Sequence, residues 1–256
     1  MRADARNDQR REPVPARQRV VWESLLAALP SVTRPGAAVR VLDCGGGSGS
    51  VAVPLARTGA VVTLIDTSAD ALATLRRRAA EAGVADAVQP VQGDVETLAD
   101  LVAGTSFDLV LAHGILEAVD APAPAFAAMA EAVRPGGLIS VLTANPAAAV
   151  LTRALAGDLA GALHDARLLD EPNAARDVGA LCAQAGLLIE SRHGVGVFVE
   201  LIPGAALDTP GAAEALADLE AELVGRMPFA DIASRVHTLA RRPAQPCAHP
   251  PAAPPA

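Results

Sequence analysis

Three carboxylates and a cluster of glycines offer the first chemistry in this chain. In the run VLDCGGGSG, Asp43 is followed by Gly45, Gly46, Gly47 and Gly49. Asp66 closes the next apolar run, VVTLID, and Asp94 the one after it, VQPVQGD. A carboxylate only accepts hydrogen bonds, so acids at successive strand ends suit a ligand rich in donors, such as a ribose diol or an exocyclic amine. Backbone stripped of side chains lets such a ligand lie against it, and a helix expected from about Ser50 turns its positive end towards negative charge. In open parallel sheets ligands sit outside the carboxyl ends of the strands, next to the first strand, which is where this run stands.

Competing readings attach to several of these residues. A dinucleotide fingerprint needs G-x-G-x-x-G, but from Gly45 the pattern runs Gly45, Gly47, Ser50 and lacks the third glycine. The spacing fits D-x-G-x-G-x-G instead. Asp66 also stands before a helix in DTSADAL, where Ser68 is the alternative cap. His113, at the end of FDLVLAH, is either a satisfied buried imidazole or a site residue. Glu117 is either a first-turn helix acid or a substrate contact. Arg76, Arg77 and Arg78 read most simply as the solvated face of a helix.

These residues need a parallel sheet to gather them. Strands are expected at residues 38–45, 60–66, 87–94, 107–114 and 137–144, separated by helix-length segments, with RPGG at 134–137 as a helix stop and turn. Residues 187–201 and 234–242 add two more strands, the last one antiparallel. The expected fold class is α/β: a doubly wound, mostly parallel seven-stranded sheet covered by helices on both faces. After Asn145-Pro146 the rhythm turns wholly helical, which suggests a cap inserted at about 146–172 over the ligand edge. The domain runs from 16 to 242, between a polar arm at 1–15 and a Pro/Ala tail at 243–256, both expected to be disordered.

Bulk properties limit the partners. With 51% hydrophobic residues in 256, the chain can bury a full core. Its net charge of −8, with Arg as the sole source of its 21 basic residues, argues against a polyanion-binding surface, and no DNA partner is expected. Cys44, Cys182 and Cys247 fit no metal spacing and no disulfide framework, so a reducing, cytoplasmic setting without a bound metal is expected. No apolar run reaches the ~20 residues of a membrane span.

The D-x-G-x-G-x-G run resembles motif I of the class I S-adenosylmethionine-dependent methyltransferases, and the other motifs follow in that family's order: LID, VQGDVE, FDLVLAHGILEAV and VRPGGLISV. The resemblance implies a Rossmann-like methyltransferase fold and S-adenosyl-L-methionine as cofactor. It implies that Asp43 and the glycines lie by the cofactor's methionine portion and that Asp66 reads the ribose. It also places Asp94, Val95 and Glu96 at the adenine, and His113 facing the methyl donor.

From about residue 17 to 243 the chain is further similar to the tRNA 5-carboxymethoxyuridine methyltransferase family, through RQRVVW, LDCGGGSG, HGILEAVDAP, TANPAA, HGVGVF and MPFADIASRVHTLARRP. That likeness implies that Arg17 meets the cofactor's carboxylate, and that the cap with Glu117, Arg192, His193 and Glu200 borders the acceptor. Departures fall on the substrate side. The lysine-rich stretch of enterobacterial members is here the near-neutral LHDARLLDEPNAARDV, Gly196 replaces a basic residue of GVRVF, and Ala118 replaces an aromatic. Three functions therefore stay open: a tRNA wobble-uridine methyltransferase, a small-molecule methyltransferase, and a cofactor-binding protein without catalysis. The first predicts arginines around the site mouth, the second an enclosed apolar pocket.

Overall fold

The structure, a computed structural model, describes residues 16–169, 177–199, 201–202, 204–223 and 225–244. The expected N-terminal arm, the tail beyond Ala244, residues 170–172 of the expected cap, and Glu200 lie outside the described residues. Helix α1 (Ala16–Val32) leads into β1 (Arg40–Cys44), α2 (Ala52–Arg57), β2 (Val61–Asp66), α3 (Ala69–Glu81) and β3 (Val88–Gln92). Then come α4 (Leu98–Leu101), β4 (Phe107–His113), α5 (Pro122–Ala132) and β5 (Val133–Ala144). Helices α6 (Pro146–Leu155) and α7 (Leu159–Arg167) pack on each other, followed by α8 (Val178–Gln184) and β6 (Leu188–Val195). Short α9 (Gly204–Leu207), α10 (Ala212–Leu223) and α11 (Phe229–Ile232) precede β7 (Arg235–Arg241).

The seven strands form one sheet in the order β3-β2-β1-β4-β5-β7-β6. The first five run parallel, and β7 pairs antiparallel with both β5 and β6. This is the mostly parallel α/β sheet the sequence implies. Strand order reverses between β1 and β4, so the carboxyl ends of these two strands flank the crevice where such sheets take ligands. Because successive side chains alternate across a strand, β1 sends Val41 towards a core built with Val21 and Leu25 of α1, Leu55 of α2 and Leu75 of α3. Leu42 and Cys44 point the other way, into a core shared with Phe126 of α5 and Leu181 of α8.

Local chemistry sets the helix starts. Ser68 accepts from Ala71 N (3.2 Å) at the head of α3, so the cap of this helix is Ser68 rather than Asp66. Asn145 caps α6 with Pro146 in the first helical turn. Two boundaries differ from expectation. Helix α2 starts at Ala52 rather than about Ser50, because a Gly49 N to Gly46 O turn (3.0 Å) with Gly49 at φ 78° uses up the intervening residues. RPGG does not precede β5 but is woven into it: Val133 pairs with Phe107, and Gly136 N bonds Arg242 O (2.8 Å). Among the described residues no helix is long and apolar enough to cross a membrane.

Candidate cofactor and acceptor site

The glycine run turns sharply off β1, with Gly45, Gly47 and Gly49 at φ 70°, 57° and 78°, where a side chain is strained. Much of the glycine requirement comes from the protein itself. A Cβ on Gly46 would stand 2.3 Å from Asp43 Oδ2, one on Gly49 2.2 Å from Leu75 Cδ1, and one on Gly45 2.7 Å from Ile115 Cδ1. Gly47 has nothing closer than Asp66 Oδ2 at 4.0 Å, which leaves its open side to a ligand.

Asp66 ties this turn to the end of β2. Its Oδ2 accepts from Gly47 N (2.9 Å) and its Oδ1 from Ser68 N (2.8 Å). Each oxygen keeps a further lone pair for a donor from outside. Gly93 N bonds Asp66 O (3.1 Å), bringing the end of β3 alongside. There Asp94 is exposed and accepts from Glu96 N (2.9 Å), while Val95 is buried. Glu96 has a structural task that the sequence did not signal: Oε1 accepts from Asp120 N and Ala121 N, both at 3.0 Å, and so holds the approach to α5. On the other side of the turn, Arg78 of α3 reaches Ser48 O (3.2 Å) and Oγ (3.3 Å). It is thus no part of a solvated face, unlike exposed Arg76 and Arg77.

Asp43 is the most perturbed acid here. It is 3% exposed and receives no side-chain hydrogen bond from a described residue. Burial, with the charge of Asp66 added, pushes its carboxyl up to about 7. A buried acid lacking a donor fits a ligand that brings its own cation, as the ammonium of an amino acid does.

His113 stands half-buried at the end of β4, one residue beyond the Cys44–Ala112 pairing of β1 and β4. Its Nε2 lies 2.8 Å from Ser140 Oγ, which in turn lies 2.8 Å from His237 Nε2. Burial first, then the positive fields of His237 and Arg235, drive His113 down to about 3, so the ring is neutral near pH 7. Glu117 falls outside α5, which starts at Pro122, so the helix-acid reading does not hold. Its Oε1 accepts from Ala144 N (2.5 Å), fastening the loop after β4 to the end of β5.

Arg235 is the residue the sequence reading missed. It opens β7 opposite Ala144 of β5 and Val195 of β6, at the carboxyl edge of the sheet. Its Nη1 lies 3.5 Å from where a Cβ on Gly114 would be, and the guanidinium has no hydrogen bond or ion pair with a described residue. Its signal was faint: a basic residue at the first position of a strand expected to be antiparallel.

Three further expected residues lie on α1 and β6. Arg17 lies in the first turn of α1, and its side chain is outside the described set. Arg192 and His193 stand near the carboxyl end of β6, His193 level with His237, Leu142 and His113 across the sheet. They project to opposite faces of the edge strand β6, paired with Thr238 and His237, with β5 and β7 between them and β4. His193 lines an open groove of about 520 Å³ between α1, α10 and the β6–β7 pair, beside Ser24, Glu190 and Arg241.

Comparison with known proteins bears on what this edge binds. Residues 42–141, which hold the glycine turn, Asp66, Asp94, His113 and Glu117, match a family described as methyltransferase domain. The chain is 28% identical over 234 residues to the tRNA 5-carboxymethoxyuridine methyltransferase of Escherichia coli K12, covering 89% of this chain and 88% of that protein. The chain is an S-adenosylmethionine-dependent methyltransferase. Its cofactor is S-adenosyl-L-methionine, and buried Asp43, without a hydrogen-bond donor among the described residues, suits the ammonium of that molecule. Ubiquinone biosynthesis O-methyltransferase of Paracidovorax citrulli is 40% identical to the methyltransferase over 118 residues, 46% of this chain and 49% of that protein. In fold, the methyltransferase is similar to the solved magnesium protoporphyrin IX methyltransferase of Synechocystis PCC 6803 with bound SAH, at TM-score 0.55 and 16% identity, covering 89% of this chain and 83% of that one.

Proposed function

We propose that this methyltransferase acts on a carboxylate oxygen, with the carboxylate of 5-carboxymethoxyuridine in tRNA as the first acceptor to test. The observation that carries the reading is Arg235, a guanidinium without a partner among the described residues, beside His113 and Gly114 at the carboxyl edge of the sheet. A guanidinium fork matches a carboxylate in shape and charge. The likeness to the tRNA enzyme supports the same reading, because it covers 89% of this chain and so extends well beyond residues 42–141.

The bound cofactor supplies a methyl group on a sulfonium, whose thioether leaves without charge. The protein then has mainly to hold, align and exclude water. Arg17 meets the cofactor's carboxylate, Asp43 its ammonium, and Gly45, Gly46, Gly47 and Gly49 shape the turn against which it lies. Asp66 takes the ribose hydroxyls on its spare lone pairs. Asp94 faces the exocyclic amine, and the Val95 and Glu96 backbone borders the adenine. His113 lies at the methyl-donor end, with Glu117 holding the loop beyond it, and Arg235 holds the acceptor. A carboxylate has no proton to lose, so no general base is required of the chain. Arg192, His193 and Glu200 belong to the outer acceptor wall in this reading, with α6 and α7 as its cap.

A second reading, a small apolar acceptor, is favoured by Leu155, Leu159 and Leu163, large exposed side chains of the α6–α7 pair, and by the net charge of −8. One experiment separates the two. Purified protein is incubated with methyl-labelled cofactor and unfractionated tRNA, and the tRNA is then treated with mild alkali. Label that enters tRNA and is released by alkali, as a methyl ester is, supports the carboxylate reading. Label absent from tRNA, or resistant to alkali, refutes it and turns the search to small molecules.

A further inference from the structure

A row of polar side chains crosses the sheet on the face covered by α1. His113 of β4, Ser140 of β5 and His237 of β7 are joined by two hydrogen bonds of 2.8 Å through the serine hydroxyl. His193 of β6 stacks beyond them, its ring centroid 6.4 Å from that of His237. A hydroxyl has one proton to give, so Ser140 donates to one imidazole and accepts from the other. The direction follows from the far end. His237 is fully buried, and its Nδ1 has no partner among the described residues. A buried N–H with nothing to receive it is rarer than a buried acceptor left unmet, so the proton of His237 belongs on Nε2. His237 then donates to Ser140 and Ser140 donates to His113 Nε2, which must be bare. Burial drives His113 to about 3 and His237 to about 4, so both rings are neutral and His113 carries its single proton on Nδ1.

We propose that His237, acting through Ser140, fixes His113 as the Nδ1–H tautomer, so that the end of β4 presents a hydrogen-bond donor to a ligand oxygen. His237 and Ser140 are thus positioning residues, acting through His113. The oxygen belongs either to the cofactor's amino-acid carboxylate or to the acceptor. The inference rests on the reading that the end of β4 faces the bound cofactor.

The test begins with the full chain, labelled with ¹⁵N-histidine and observed without ligand. A proton on His113 Nδ1 is expected, and a proton on Nε2 overturns the proposal. In Ser140→Ala the proton should move to Nε2, the tautomer that free histidine prefers, and a spectrum unchanged from the parent overturns it too. His237→Gln, whose amide can donate in place of Nε2, should keep the parent pattern, and loss of the Nδ1 proton there counts against the relay. Calorimetry with S-adenosylhomocysteine and 5′-methylthioadenosine then locates the oxygen. If Ser140→Ala weakens the first about fivefold and leaves the second unchanged, the loss of one hydrogen bond falls on the amino-acid end. If both are unchanged while label transfer to tRNA slows about fivefold, the oxygen is the acceptor's. Failure of the parent chain to bind S-adenosylhomocysteine would sink the cofactor reading while leaving the tautomer result standing.

Discussion

The glycine turn and the histidine row lie at the same edge of the sheet, yet they are built in opposite ways. The turn is assembled from neighbours: Asp43, the glycines and Ser48 are contiguous in sequence, and Asp66, which holds them, ends the very next strand. The row joins residues 27 and 97 positions apart across three strands, the third of them antiparallel. In the proposed reading cofactor binding rests on local sequence, whereas the tautomer and charge presented at the ends of β4 and β7 depend on long-range register. Substitutions in the turn should therefore move cofactor affinity, and substitution of Arg235 should move transfer.

Asp66→Ala gives the largest separation. It removes the acceptor of Gly47 N and Ser68 N together with the ribose contact, so S-adenosylhomocysteine should bind roughly 100-fold more weakly, as two hydrogen bonds to a charged group imply. Parent-like affinity in a calorimetric titration would break the comparison at its strongest point.

Asp43→Asn sharpens it through pH. Burial lifts this acid from 3.8 to about 7 in the apo protein. The fold holds the proton better than the unfolded chain does, so apo stability falls as pH rises from about 4 to about 7 and then levels off. The cofactor's ammonium requires the ionised form. Parent affinity for S-adenosylhomocysteine should accordingly drop about tenfold per unit below pH 7, with proton uptake by the free protein as the cause. The Asn variant should bind about 30-fold more weakly at pH 8, the loss of one charge-assisted bond, and show no such slope. Titrations at several pH values in buffers of different ionisation enthalpy would read both effects.

The same division governs what could be seen in the sequence. Strands β1 to β5, the glycine turn, Asp66 and the Ser68 cap are legible because each rests on a short apolar run or a capping pattern within a few residues. Asp43 could be named from its spacing, but its burial without a donor could not. Glu96 was expected at the adenine through its backbone, and the second task of its carboxylate, accepting from Asp120 N and Ala121 N 24 and 25 residues away, is a contact that no local pattern encodes. Arg192 and His193 were placed at the acceptor through the family likeness that includes the HGVGVF segment, which His193 opens. Strand alternation sends them to opposite faces of β6, so that only His193 shares a face with His113 and His237, a division that depends on register. Arg235 reaches the carboxyl edge only because β7 runs antiparallel and pairs Arg235 with Ala144, so its role depends on a register that the sequence does not spell out.

Arg235→Met tests the acceptor side. Transfer of label to tRNA at subsaturating tRNA should slow about tenfold, the cost of one charge-assisted contact, with S-adenosylhomocysteine affinity within about twofold of the parent. An equal loss in both measurements would move Arg235 to the cofactor and erase the division between the two regions.

The smallest expected effect lies within the turn, at Arg78. Its guanidinium bonds Ser48 O and Oγ at 3.2 and 3.3 Å, both long for such contacts, from a half-buried position on α3. Leu75, one helical turn earlier, already packs where a side chain on Gly49 would go, so α3 braces the turn by shape as well as by charge. Removing the charge while keeping most of the stem, as in Arg78→Met, leaves that brace in place. Affinity for S-adenosylhomocysteine should fall only about threefold, as for one weak hydrogen bond. Arg77→Met, which removes the exposed pair with Glu81 one residue away, should change nothing measurable and serves as the control. If the two variants behave alike, the bonds to Ser48 contribute nothing, and the turn is held by Asp66 and packing alone.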